Sequence, residues 1–133
     1  YGCEDGPHKL QADELLSSLT KIGVRAEWKG PLGLKFLGNH AELDTKEKTL
    51  PIVSEGLHRL MTRVQESVEK KRIPVVIGGD HASAIGTWSG AVSGTKSAGK
   101  FGLIWLDAHL DCHTPETSHQ GKWGGWWHGQ PVT

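Results

Sequence analysis

Cysteine is scarce in this 133-residue chain, which also has neither a long apolar run nor an excess of one charge. Cys3 and Cys112 form no CxxC pair, which argues against a disulfide framework and favours a reducing compartment, taken here as the cytoplasm. A single Cys3–Cys112 bridge stays open. The 15 basic and 15 acidic residues balance without a basic run, so no nucleic-acid partner is expected. No stretch approaches the roughly 20 apolar residues of a membrane span, and no secretory signal is visible.

Apolar residues alternate between helical and strand-like spacing along a chain whose length allows one domain, over residues 1–133. Helical spacing with suitable end residues predicts helices over Gly6 to Ile22 with Gly23 as its stop, about Leu50 to Lys71, and Ala82–Val92. The middle helix carries one apolar stripe: Val53, Leu57, Leu60, Val64 and Val68. Short apolar runs predict strands at Val24–Trp28, Ile73–Ile77 and Phe101–Leu106. This alternation predicts an α/β fold, with helices on both faces of a mostly parallel sheet.

Polar side chains follow the last two predicted strands at the point where each strand ends. Gly78-Gly79-Asp80-His81 follows one, and Asp107-Ala108-His109-Leu110-Asp111 follows the other. Since side chains alternate along a strand, Asp107, His109 and Asp111 can point the same way. Ligands of open α/β sheets bind outside the carboxyl ends of strands, so neighbouring strands would bring His81 to the same place. These imidazoles and carboxylates suit a divalent metal ion.

Each of these residues also has an ordinary structural explanation. Asp80 is a suitable cap for a helix near Ala82, and His81 alone is typical of a first helical turn. The segment from Asp107 to Asp111 would suit a solvated loop that happens to alternate. Such a loop has no reason to begin where a strongly apolar strand ends, so we favour the metal site. Its carboxylates favour manganese over a thiolate-type zinc site, with zinc, iron and cobalt left open.

Taken in order, the motifs resemble those of the ureohydrolases, and of the arginases in particular. The matching segments are Gly2–Pro7, Gly78–His81, Asp107–Asp111, Thr114-Pro115 and His128–Val132. The resemblance implies a three-layer α/β/α domain that hydrolyses guanidino groups at a centre of two manganese ions. It also implies a partial domain, incomplete at both ends, because a first strand, a later Asp-rich motif and a later Glu of the family are not found here.

The resemblance assigns a metal role to four residues. Asp107 would bridge the two ions. His81 and Asp111 would bind one ion, and His109 would bind the other. A water molecule between two cations loses a proton near neutral pH, so a bridging hydroxide would attack the poorly electrophilic guanidinium.

A histidine outside the metal set would complete the chemistry. By the resemblance, His128 is the proton shuttle that protonates the leaving amine, a role that suits a side chain titrating near neutrality. The alternative is a loop histidine that only packs among Trp126 and Trp127.

The loop between the motifs departs from the family. Arginases usually have Ser-Gly-Asn before the His-Gly pair to hold the amino-acid end of the substrate, whereas Gln120-Gly121-Lys122 stands here. His113 occupies a position that is often Asn in the family. A lysine cannot accept a hydrogen bond as an asparagine amide does. We expect His113, Gln120 and Lys122 to contact the substrate in place of the usual family residues. The insertion Trp123–Trp126 suits either an apolar pocket or a subunit contact.

The expected function is hydrolysis of L-arginine to L-ornithine and urea by a cytoplasmic enzyme that is a homo-oligomer when complete. Thr114-Pro115 and His128–Pro131 favour arginase, while Gln120–Trp127 argues against it. Agmatinase or another guanidino-acid hydrolase is therefore the second hypothesis. A third hypothesis is a catalytically inactive binding or assembly domain of the same fold. The partner expected in the first two cases is a small guanidino substrate.

Overall fold

A computed structural model describes residues 6–12, 14–32, 46–79, 81–95 and 99–108 of the chain. Its helices are α1 (Gly6–Ala12), α2 (Leu15–Lys21), α3 (Lys46–Glu69) and α4 (Ser83–Gly94). The rest of the described chain consists of turns and of segments without regular secondary structure, chiefly 24–32, 72–79 and 99–108. A search of the described helices finds none with the length and apolarity that a membrane span requires.

The first predicted helix is divided in two. Glu14 adopts a left-handed conformation (φ 59°, ψ 34°) between α1 and α2. The sequence contains the reason, because Leu10 and Leu15 are five residues apart and do not share one face of a continuous helix. The predicted stop at Gly23 is confirmed, since this glycine has φ 81°. The Val24 amide donates to the Leu19 carbonyl at 3.0 Å, which completes a Schellman motif.

The long helix α3 confirms its predicted apolar stripe. Leu60 and Val64 are 7% and 2% exposed, and they form the centre of the described core. The helix starts at Lys46, earlier than predicted, so Pro51 lies inside it at the cost of one backbone hydrogen bond. It ends at Glu69, where Lys71 takes the left-handed conformation (φ 56°) that follows many helices.

The packing of α3 against α4 depends on glycine. A Cβ atom on Gly86 would lie 2.7 Å from the Leu57 carbonyl oxygen, and one on Gly90 would overlap the carbonyl oxygen of Met61. These distances mean that the backbones themselves are in contact, which no other residue type permits. Further along, Gly94 approaches Val68 in the same way. The contacts advance together along both sequences, so α3 and α4 run parallel.

The parallel helices determine the direction of the two segments around α4. Since the end of α3 lies beside the end of α4, segment 72–79 must return to the start of α4, where His81 lies. Segment 99–108 leaves the end of α4 and brings Asp107 back to His81. Both segments therefore run in the same direction and finish at the same end of α4, as consecutive parallel strands of an α/β protein do.

No described residue lies in a β-strand, so the strands predicted at 24–28, 73–77 and 101–106 are not found. The physical reason is the absence of pairing: no hydrogen bond joins the backbone of these segments to another described backbone group outside the helices. Exposure still follows a strand-like alternation. Ile73 and Val75 are 92% and 81% exposed while Pro74 and Val76 are half-buried. Among the described residues, helices thus cover one side of these segments, where a three-layer fold has helices on both.

Arginine side chains hold segment 24–32 near α3. The Arg63 guanidinium donates to the carbonyl oxygens of Lys29, Gly30 and Pro31 at 3.4, 3.3 and 3.4 Å. Arg72 pairs with Glu27 at 3.2 Å between Nη1 and Oε2. The neighbouring ammonium of Lys29 donates to Glu27 and, with Arg72, lowers the pKa of that carboxyl below its usual value. Since Glu27 is fully exposed, its share of the stability is small and falls away as the pH drops through that lowered pKa.

The glycine contacts generate a prediction about stability. Gly90→Ala should lower the free energy of unfolding by about 1–3 kcal/mol, because overpacking against a backbone outweighs alanine's better helix propensity. Gly6→Ala is the matched control, since a Cβ there meets nothing within 4 Å. Urea denaturation followed by far-ultraviolet circular dichroism measures both. Equal stabilities for the two variants would contradict the close approach of α3 and α4.

Candidate functional site

The start of α4 and the end of segment 99–108 bring two of the predicted site residues together. His81 lies two residues before Ser83, the first residue of α4, and its Nδ1 lies 3.5 Å from Oδ2 of Asp107. The imidazole side chain is 35% exposed and the carboxylate side chain 15%, although the backbone around Asp107 is open to solvent. An imidazole and a carboxylate from two separate motifs thus converge at the end of the two segments, and both are partly buried.

The separation of these two atoms fits a shared metal ion. Direct N–H···O hydrogen bonds usually measure about 2.7–3.2 Å, so 3.5 Å is long for one. Two ligand atoms bound at about 2.1 Å to the same ion, at angles between about 90° and 110°, lie roughly 3.0–3.5 Å apart. The carboxylate oxygen suits manganese, and the imidazole nitrogen also suits zinc or iron, so the donor pair fits a divalent transition-metal ion.

Two tryptophans border the pair. The ring of Trp105 meets the ring of His81 edge-on, with centroids 6.0 Å apart and an interplanar angle of 65°. The ring of Trp105 also meets that of Trp88 of α4, with centroids 5.3 Å apart and an interplanar angle of 62°. The sequence pattern predicts only a strand residue at Trp105. The signal that could have found it is the two-residue period of an extended chain, which puts Trp105 on the same side as Asp107.

The other predicted site residues lie outside the described ranges. These are the metal-site residues His109 and Asp111, the proposed proton shuttle His128, and the substrate-contact candidates His113, Gln120 and Lys122. Within the described ranges, no group of three or more potential ligands comes together. The structure accordingly places one pair of the predicted metal site, His81 and Asp107.

Comparison with known proteins identifies the family to which the chain belongs. Helices packed in parallel, with extended segments that finish together on an imidazole and a carboxylate, are the arrangement expected of an α/β protein. The family model for the arginases matches residues 1–133, and the chain belongs to the arginase family. No solved structure matches it significantly.

Individual relatives agree with the family. An arginase of Bacillus subtilis is 35% identical over 133 residues, a match that covers 98% of this chain and 41% of that protein. An arginase of Bacillus caldovelox is 34% identical, with 98% and 42% covered. Arginase-1 of Homo sapiens is 33% identical over 132 residues, with 99% and 38% covered. The chain thus spans about two fifths of the length of the curated relatives it matches.

Proposed function

We propose that this chain is the part of an arginase that carries the first half of a binuclear manganese site, folded as a single partial domain over residues 1–133. The observation that supports this most directly is the 3.5 Å approach of His81 Nδ1 to Asp107 Oδ2. These atoms come from two motifs separated in sequence, and they meet at the end of the segments where α/β proteins bind ligands. The reaction proposed is hydrolysis of L-arginine to L-ornithine and urea.

Four residues of the chain would hold the metal. Asp107 would bridge two ions, with His81 and Asp111 on one of them and His109 on the other. The remaining ligands would be supplied by the later motifs that the family resemblance implies. When bound, the ion pair would lower the pKa of a water molecule and so supply a nucleophile at neutral pH.

The protein side chains would perform the remaining steps. The guanidinium carbon is a poor electrophile because its charge is delocalised, so the substrate must be held close to the nucleophile in a fixed orientation. His128 would then give a proton to the leaving amine, since histidine exchanges protons readily near neutral pH. Without that proton the departing group would be an amide anion, which is a very poor leaving group.

The sequence of the loop before His128 favours a second candidate, agmatinase or another guanidino-acid hydrolase. Gln120-Gly121-Lys122 replaces the Ser-Gly-Asn that binds the amino-acid end of arginine in the family. Lys122, with Gln120 and His113, would select for a substrate carboxylate. Guanidino acids carry this group and agmatine lacks it, so the contact would favour a guanidino-acid hydrolase over agmatinase. A substrate profile over arginine, agmatine and guanidino acids, measured on a full-length enzyme, distinguishes the two candidates.

The first prediction concerns activity of the 133-residue chain itself. We expect negligible urea release from arginine with added Mn²⁺, because four protein ligands are too few to hold two ions well. A colorimetric urea assay measures this. Robust turnover would show that the ligand set is complete within this sequence, which would contradict the proposed division of the site.

A second prediction concerns the metal-binding role of His81. We expect His81→Ala to weaken Mn²⁺ binding by more than about tenfold, which corresponds to ~1.4 kcal/mol. His58→Ala provides the matched control, because His58 is an exposed histidine on α3. Electron paramagnetic resonance of free Mn²⁺ during titration measures both affinities. If both variants weaken Mn²⁺ binding equally, His81 is not a metal ligand.

A third prediction concerns His128 in a full-length enzyme. We expect His128→Asn to lower kcat by roughly 10²- to 10⁴-fold, the usual contribution of general acid–base catalysis. Manganese content should stay the same, since His128 is placed outside the metal ligands. Loss of manganese together with activity would instead make it a ligand, and an unchanged kcat would leave it as a packing residue beside the tryptophans.

A further inference from the structure

We propose that Trp105 is a positioning residue for the His81 imidazole, with Trp88 of α4 holding Trp105 in place. The inference rests on the proposed function, because it assigns Trp105 a role toward the ligand that His81 would provide. The contact that carries it is the edge-on meeting of the two rings, with centroids 6.0 Å apart and planes at 65°. Pairs of aromatic rings prefer such inclined arrangements, which stabilise one orientation over others.

A histidine ring needs this kind of support to be a good ligand. The torsion that turns the ring about its bond to Cβ has broad minima, so the direction of Nδ1 is set by what surrounds the ring. Asp107 lies 3.5 Å from Nδ1 and Trp105 contacts the same ring. Between them, a polar neighbour and an aromatic neighbour restrict the rotation that would carry Nδ1 away from the site.

Trp105 is more buried than the residues on either side of it in segment 99–108. Its neighbours Ile104 and Leu106 are 87% and 93% exposed, whereas Trp105 is half-buried. The side chain therefore lies on the opposite side of the extended segment from Ile104 and Leu106. Its ring contacts both His81 and Trp88, whose ring centroids lie 6.0 and 5.3 Å from its own. Trp88 belongs to α4, which begins two residues after His81, so the same helix positions Trp88 and His81.

The ring of Trp105 acts here without its polar group. Its indole Nε1 is buried and has no hydrogen-bond partner among the described residues. A phenylalanine at this position would keep an aromatic ring against His81 and would remove an unsatisfied N–H. Trp105→Phe should therefore preserve the positioning that Trp105→Leu abolishes, and this contrast separates ring contact from simple filling of space.

The first experiment observes His81 without any metal. In metal-free chain labelled with ¹³C-histidine, at one fixed pH, the His81 ring resonance is assigned by its loss in His81→Asn. We expect Trp105→Leu to shift and broaden this resonance, Trp88→Leu to do so less, and Trp105→Phe to keep it sharp. Trp28→Leu is the matched control, because Trp28 is also half-buried with an unpaired Nε1 but belongs to a different segment, 24–32. An unchanged resonance in Trp105→Leu overturns the proposal.

The second experiment measures Mn²⁺ affinity by electron paramagnetic resonance of the free ion, with folding checked by far-ultraviolet circular dichroism. We expect Trp105→Leu to weaken binding about 10- to 100-fold, the usual effect of losing a residue that orients a metal ligand, and Trp105→Phe to stay within about threefold. Wild-type affinity in folded Trp105→Leu overturns the positioning role. If the wild-type chain binds no Mn²⁺ while its His81 resonance still depends on Trp105, the proposed metal site fails and the ring contact stands. If Trp105→Leu does not fold, Trp88→Leu decides by the same two measurements.

Discussion

The contact between the backbones of α3 and α4 determines where the candidate site can form. Gly86 and Gly90 have no Cβ, and this absence lets α4 approach the carbonyl groups of α3. Trp88 lies two residues beyond Gly86, about 200° around the helix, and so faces away from α3 toward segment 99–108. One helix thus uses its small face for packing and its aromatic face to support Trp105. Because His81 lies just before α4, the packing of α4 against α3 also determines where His81 lies in the fold.

This arrangement makes α4 dependent on its neighbour. Each glycine inside a helix costs about 0.5–1 kcal/mol relative to alanine, and α4 has three at four-residue spacing. A helix of 12 residues with this composition would have little stability alone in water. The packing against Leu60 and Val64 compensates for the weak local preference. The orientation of the His81 ring is accordingly a product of tertiary structure, although its motif is local in sequence.

The helices and the meeting of the two motifs could be predicted from sequence because their signals are local. The stripe on α3, the stop at Gly23 and the basic residues after Glu69 each depend on neighbours a few positions away. Strands could not be predicted from such local signals, because a strand requires a pairing partner and apolar character alone does not supply one. The contacts of Arg63 with residues 29–31 join positions more than thirty apart, and no periodicity signals them. The contact of Trp105 with His81 could not be predicted either, because an apolar residue within a predicted strand already has a structural explanation.

The clamp that Arg63 forms has a consequence for sequence variation. All of its acceptors are main-chain carbonyl oxygens, which every amino acid carries. Substitutions at Lys29 would therefore leave the clamp intact as long as the backbone keeps its path, and selection there would act on other properties. The donor has less freedom, because all three bonds leave one nitrogen, Nη1, at the end of a long basic side chain. Among related sequences, a long basic residue at this helix position should persist while the residues it holds diverge.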